Sequence, residues 1–407
     1  MTLDEPRARL APHPPPRPAR AFAPPPRPGG AFDPPRRGRL LLCVAAAVLA
    51  GCGDDGSGPD PRVVAGVDLD VLFAPATQAE VDAVLADWAA RTPTASGFQV
   101  ESTIETTLLD VDVRASVVSH VVDGHRHYSA FVVPFGDDAD PGPLPVLVYL
   151  HGGDEGFAVD DIFSLASFAP DLAGRVVWVA PSFRSEAVRF QGMTFTSEGE
   201  PSPWDRDVDD ALALLEVVAA EVPEADVNRV ALVGLSRGGG VALLMAERDP
   251  DIDLVVEFFG PTDFFDGFIQ DVVADALRGV LRDLPGLEFL NGEFIVPLRG
   301  EQTTIAAVRG ELVRRSAVLY ADRLPDLQVH HGELDTVVEV SQAESLIDTM
   351  LELGRGASPL CPPLDGPSGM GDPLFEACLY PSGSHNPLTM SGSVPRAATF
   401  LERLLAP

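Results

Sequence analysis

The chain has 407 residues, 45% of them hydrophobic, and a net charge of −32 from 61 acidic residues against 29 basic ones, every one an arginine. That length and apolar content allow one large domain or two ordinary ones with a substantial core. Acidity of this size excludes a nucleic-acid binder, which needs a basic footprint, and predicts a well-solvated surface.

Residues 1–35 hold twelve prolines among Arg and Ala, a composition that packs no core. Arg36-Arg37-Gly38-Arg39 then introduces an apolar run of eleven residues, Leu40 to Ala50. Such a run is too short to span a bilayer as a helix but suits the core of a secretory signal. It closes on Leu49-Ala50-Gly51-Cys52, which resembles a bacterial lipobox, where the cysteine receives a diacylglyceryl group and cleavage occurs just before it. The expected organisation is a Pro-rich leader and signal over 1–51, a flexible tether over 52–61 that starts at the lipidated Cys52, and a globular domain over 62–407. The domain is expected to be exported and held at a membrane by the lipid.

Within the domain, strand and helix signals alternate. Thr77-Gln78-Ala79-Glu80 has the form of a capping box opening a helix to about Arg91. Residues 111–120 and 127–134 alternate like a pair of antiparallel edge strands. The continuous apolar run 144–150 reads as a central parallel strand, and 175–180 repeats its character. An amphipathic helix is predicted over 207–221, then strands over 229–233 and 253–259. Residues 263–315 are helical in character, clearest over 270–282, and interrupt the strand pattern as a candidate cap or surface insertion. Further strands are predicted at 327–331 and 375–380. This alternation implies an α/β fold, a mostly parallel sheet with helices on both faces.

Gly234-Leu235-Ser236-Arg237-Gly238 lies between the strand over 229–233 and a helix that begins with small residues. Gly-x-Ser-x-Gly in that setting is a nucleophile elbow, whose glycines let strand and helix close on a sharp turn. A serine hydroxyl needs a base to take its proton and an acid to orient that base. His385, in the loop before the final helix, and Asp335, just past the strand at 327–331, complete the order Ser–acid–His. Glu333 is the alternative acid. The amide of Arg237 is one candidate oxyanion donor, and Gly152 and Gly153, directly after the strand ending at Leu150, supply another. His151 is expected to support that loop, and His330 and His331 to pack at a strand end. A non-catalytic binding protein on the same scaffold predicts loss of one of these members, yet all are present.

Leu150-His151-Gly152-Gly153, Gly234-Leu235-Ser236-Arg237-Gly238-Gly239, the segment from His331 to Val338 and Tyr380-Pro381-Ser382-Gly383-Ser384-His385 together resemble the catalytic domain of the prolyl oligopeptidase family, within the α/β-hydrolase superfamily. The resemblance covers roughly residues 111–407. It implies Ser236 as nucleophile, Asp335 as acid, His385 as base, and an acyl-enzyme route to the hydrolysis of peptide, amide or ester bonds. The sixty residues or so between Cys52 and the first hydrolase strands leave no room for the β-propeller of the family's peptidases, at roughly 40–50 residues per blade. The missing gate argues against peptide specificity, so a peptidase-like activity is the first expectation only by the resemblance, with a carboxylesterase close behind. Asp154 and Glu155 are read either as holding a peptide's terminal amine or as a solvated turn.

Cys43 falls in the signal and Cys52 is the lipid site, leaving Cys361 and Cys378. Two cysteines around a Pro/Gly-rich stretch of an exported domain are expected to form one disulfide. With no CxxC or spaced His pair beside them, neither a metal nor a cofactor is expected.

Overall fold

The computed structural model describes residues 62–405 apart from 138, 141, 357–360 and 362–372. The leader, the apolar run, Cys52 and the tether lie outside the described residues. Alternating and continuous apolar runs sort into the rim and the middle of one nine-stranded sheet. Its strands are β1 (Ala95–Leu108), β2 (Val111–Val122), β3 (His125–Pro134), β4 (Leu144–Leu150), β5 (Val177–Pro181), β6 (Ala225–Leu235), β7 (Leu254–Phe258), β8 (Asp326–Gly332) and β9 (Phe375–Tyr380). Their spatial order is β1-β2-β3-β5-β4-β6-β7-β8-β9. Pairing is antiparallel from β1 through β3 to β5 and parallel from β5 across to β9.

In the parallel half both faces are buried, and alternate residues enter different cores. Val146, Val148 and Leu150 of β4 join one apolar cluster, and Leu147 joins the other. The first cluster is completed by α3 (Arg206–Glu221), α4 (Arg237–Arg248) and α7 (Ser341–Glu352). The second is completed by α2 (Val159–Phe168) and α8 (Ser393–Leu401). The fold is thus an α/β-hydrolase fold with helices on both faces.

The Thr77 capping box is formed and opens α1 (Gln78–Ala90), with Arg91 as its C-cap. The 263–315 stretch is helical but broken. Its first helix, α5 (Gly267–Arg278), starts earlier and stops earlier than the pattern over 270–282 suggests, because Gly279 caps it in the left-handed conformation at φ 89°. Short turns over Leu287–Leu290 and Asn291–Ile295 precede α6 (Ile305–Arg315). Strand β1 was not expected from the sequence. It is the open edge of the sheet, and most of its side chains are partly or fully exposed.

Candidate active site

The site gathers where the parallel strands end. Ser236 follows β6 at φ 55° and ψ −123°, a conformation that costs a non-glycine residue strain and turns its side chain above the sheet. Its amide donates to the Phe258 carbonyl at 2.9 Å, and its carbonyl accepts from the Gly239 amide at 2.8 Å. Glycine is required on both sides of the turn. A Cβ on Gly234 would strike the backbone of Gly238, and one on Gly238 would strike the carbonyl of Leu150 at the end of β4.

Asp335 and His385 come from the loops after β8 and β9. Both loops are joined by backbone bonds, Glu333 N–H to the Tyr380 carbonyl at 2.9 Å and Leu334 N–H to the Gly383 carbonyl at 2.8 Å. Asp335 is buried; its Oδ1 accepts from the amides of Val337 at 2.8 Å and Val338 at 3.0 Å. Its Oδ2 lies 2.7 Å from His385 Nδ1, and His385 Nε2 lies 2.9 Å from Ser236 Oγ. An ionised Asp335 can only accept, so Nδ1 carries the proton and Nε2 is left to accept from the serine hydroxyl. The His385 ring rests against Phe259, centroids 4.3 Å apart. Glu333 is exposed and takes no part in this chain of contacts.

The Gly152–Gly153 loop lies directly over the elbow. A Cβ at Gly152 would come within 3.0 Å of both the Leu235 carbonyl oxygen and Ser236 Cβ. His151, fully buried, donates from Nδ1 to the Gly152 carbonyl at 3.1 Å and packs tilted against Phe183, ring centroids 4.4 Å apart. Burial holds its imidazole neutral, down to about 3. His330 and His331 are likewise buried. His330 bridges Tyr380 and Gln328, and His331 Nε2 lies 2.9 Å from the Val338 carbonyl, in the loop that holds Asp335. Cys361 and Cys378 are joined in a disulfide.

Three side chains at the site carried no sequence signal of their role. Trp204, at φ 58°, donates from Nε1 to the Arg237 carbonyl at 3.0 Å. Asp207 and Glu186 flank the Arg237 guanidinium, which donates to both carboxylates and lies over the Phe183 ring. Burying two carboxylates beside one guanidinium pushes Glu186 up to about 7 and Asp207 up to about 6, although the Arg237 charge acts in the opposite sense. Beside Ser236 is a small pocket whose walls include Trp204, Pro261, Leu284, Pro285, Leu287 and Val338. The 263–315 insertion therefore contributes one wall of it. Asp154 and Glu155 are exposed and outside that lining. Among the described residues, no cluster of three or more His, Cys, Asp or Glu could hold a metal ion, and no helix is long and apolar enough to cross a membrane.

Residues 147–376 match the alpha/beta hydrolase family. No curated protein sequence matches the chain. Among solved structures, the fold is similar to acetyl xylan esterase 1 from Thermoanaerobacterium sp. JW/SL YS485, at 18% identity and TM-score 0.54 over 84% of this chain and 99% of that one. It is also similar to an acetyl xylan esterase from Paenibacillus sp. R4, at 17% identity and TM-score 0.50 over 83% and 98%. The acylaminoacyl peptidase of Pyrococcus horikoshii aligns at 14% identity and TM-score 0.44, over 79% of this chain and 42% of that one.

Proposed function

Because the chain belongs to the alpha/beta hydrolase family, we propose that this serine hydrolase cleaves esters of short acyl groups through an acyl-enzyme on Ser236. Ser236 Oγ attacks the ester carbonyl carbon while its proton passes to His385 Nε2. Asp335 holds the ring in that tautomer and balances the imidazolium. The carbonyl oxygen becomes an oxyanion facing the Arg237 amide and the Gly152–Gly153 loop. Collapse expels the alcohol, which takes the proton from His385. Water then attacks the acyl carbon with His385 again as base, releasing the acid and restoring the serine.

The observation that carries the choice of substrate is the pocket against Ser236. It is small; besides Ser236 and Arg237 its walls are aliphatic, proline and tryptophan residues, and no carboxylate lines it. A peptidase that grips a free terminal amine needs a fixed carboxylate there, and the exposed Asp154 and Glu155 do not provide one. A short acyl group needs only apolar contact. The first expectation, a peptidase-like activity, thus becomes the second reading, kept for the motifs shared with prolyl oligopeptidases.

Rates on p-nitrophenyl acetate and on aminoacyl p-nitroanilides, with Ser236→Ala as control, test the choice. Faster, Ser236-dependent turnover of the anilides would overturn the ester reading. Export and attachment through Cys52 belong to the same proposal. They are supported by the lipobox-like Leu49-Ala50-Gly51-Cys52 and by a disulfide, which forms and persists in oxidising compartments. Palmitate incorporation that survives Cys52→Ser would remove the anchor from the proposal.

A further inference from the structure

Arg237 follows the proposed nucleophile, and its side chain turns inward, almost completely buried, rather than toward substrate. The guanidinium makes a fork on Asp207 Oδ2, from Nε at 3.0 Å and from Nη2 at 2.7 Å. Nη1 bonds Glu186 Oε1 and also approaches the Gly153 carbonyl at 3.4 Å. Glu186 then uses its second oxygen, Oε2, to accept the Gly156 amide at 3.1 Å, and the same oxygen lies 3.6 Å from His151 Nε2. Both ends of the 153–156 turn are therefore suspended from one guanidinium, one directly and one through Glu186. Asp207 fixes that guanidinium to the first turn of α3. Burial opposes the charge on Arg237, but the two carboxylates outweigh it and raise its pKa above the ordinary arginine value.

We infer that the Arg237 side chain is a positioning residue for the oxyanion site, setting the distance between its own amide and the facing Gly152–Gly153 loop. The inference rests on the acyl-transfer reading above and assigns it a device that neither the elbow motif nor the family match contains. An oxyanion site works by donors held in place before charge develops, so slack in the loop lowers turnover without weakening ground-state binding. Arginine is suited to this because its rigid, planar fork serves three acceptors at once, which a lysine ammonium does not reproduce. Gly153, at φ 79°, lets the loop present its carbonyl to Nη1 without side-chain strain.

The test is Arg237→Lys and, separately, Glu186→Gln, each checked for a native circular-dichroism spectrum. Steady-state rates on p-nitrophenyl acetate are measured with inhibition by a short alkyl trifluoromethyl ketone, whose serine adduct carries an oxyanion. Arg237→Lys is expected to lower kcat on the order of 10²-fold, as loss of an oxyanion donor does, with KM within about threefold. Ketone affinity should fall in step with kcat/KM. Glu186→Gln should show the same pattern with a smaller loss, and it serves alone if the lysine variant does not fold. A folded variant that keeps both kcat and ketone affinity, or raises KM alone, overturns the inference. If Ser236→Ala still hydrolyses the ester, the acyl-enzyme reading itself fails, a result distinct from any of these.

Discussion

Trp204 and Arg237 are bound to each other, indole N–H to main-chain carbonyl at 3.0 Å, so the wall of the pocket hangs from the elbow itself. The indole is also wedged between two glycines. A Cβ on Gly240 would come within 2.8 Å of Trp204 Cδ1, and one on Gly286 within 2.6 Å of Cη2. Replacing Trp204 with Leu should therefore deepen the pocket. The expected outcome is a shift of the preferred p-nitrophenyl ester from acetate toward butyrate and longer chains. Loss of large-side-chain packing should accompany it, at about 3 kcal/mol or less, read by chemical denaturation. An unchanged chain-length profile would count against Trp204 as the wall.

Asp335 is held by the amides of Val337 and Val338 as well as by His385. Asp335→Asn should leave the fold in place but offer His385 the wrong hydrogen-bonding partner, lowering kcat by roughly 10³–10⁴-fold. Ser236→Ala should abolish labelling by a fluorophosphonate, and His385→Ala should nearly abolish ester turnover. Wild-type labelling rates in the Ser236→Ala protein would remove Ser236 from the mechanism.

Gly238 abuts the Leu150 carbonyl, and the obstacle there is backbone rather than a movable side chain. Gly238→Ala should force β4 and α4 apart at the elbow, at a cost of about 1–3 kcal/mol or more. A lowered melting temperature together with lost turnover is expected. A variant with native stability and activity would show that the elbow can relax.

Glu257 sits fully buried on β7 beneath the elbow, its Oε1 accepting the Gly260 amide. Burial, reinforced by the charge on Asp335, pushes it up to about 8 against the Gly260 bond that favours ionisation. The folded value lies above the ordinary 4.5, so the fold favours the neutral acid. Its contribution is fully present below about pH 4.5 and is lost as pH rises through about 8. Each pH unit in that window is worth about 1.4 kcal/mol. Against Glu257→Gln, which stays neutral, the wild type should lose ground between about pH 5 and pH 8 in urea denaturation and level off above that. Parallel stability curves would refute the assignment.

The Cys361–Cys378 bridge closes a segment with a sequence separation of 17. On the chain-entropy account such a loop stabilises by about 3 kcal/mol. Reduction, or Cys361→Ser with Cys378→Ala, should lower the denaturation midpoint while leaving kcat close to wild type, because the bridge ties Cys361 to β9 at Cys378, whereas the proposed triad members Asp335 and His385 are placed by the pairing of β8 with β9.

What could be read from the chain beforehand follows physical locality. The elbow, the Thr77 cap and the buried parallel strands are written in short windows: Gly-x-Ser-x-Gly, Thr-x-x-Glu, and runs such as 144–150 whose two faces are both covered. Strand β1 was missed because an open edge tolerates Ser, Thr and Glu on side chains that mostly meet water, which blurs the alternation. The partners of Arg237 were missed for a different reason. Glu186 and Asp207 lie far from it in sequence, and nothing local distinguishes a carboxylate that will be buried against a guanidinium from one left in solvent. The early end of α5 has one local mark, Gly279, and a glycine inside a helical pattern becomes a cap only when the backbone takes up positive φ there.

The order of strands also has a consequence in time. Ser236 stands at the end of β6, Asp335 after β8 and His385 after β9, and β9 joins the sheet by pairing with β8. A ribosome releases these segments in that same order, so a growing chain owns its serine and its aspartate before it owns the proposed base. Until the last strand slides into register, the serine remains an ordinary alcohol. In refolding from the complete chain, ester turnover should likewise appear no earlier than the pairing of β9 with β8, which brings His385 to the site.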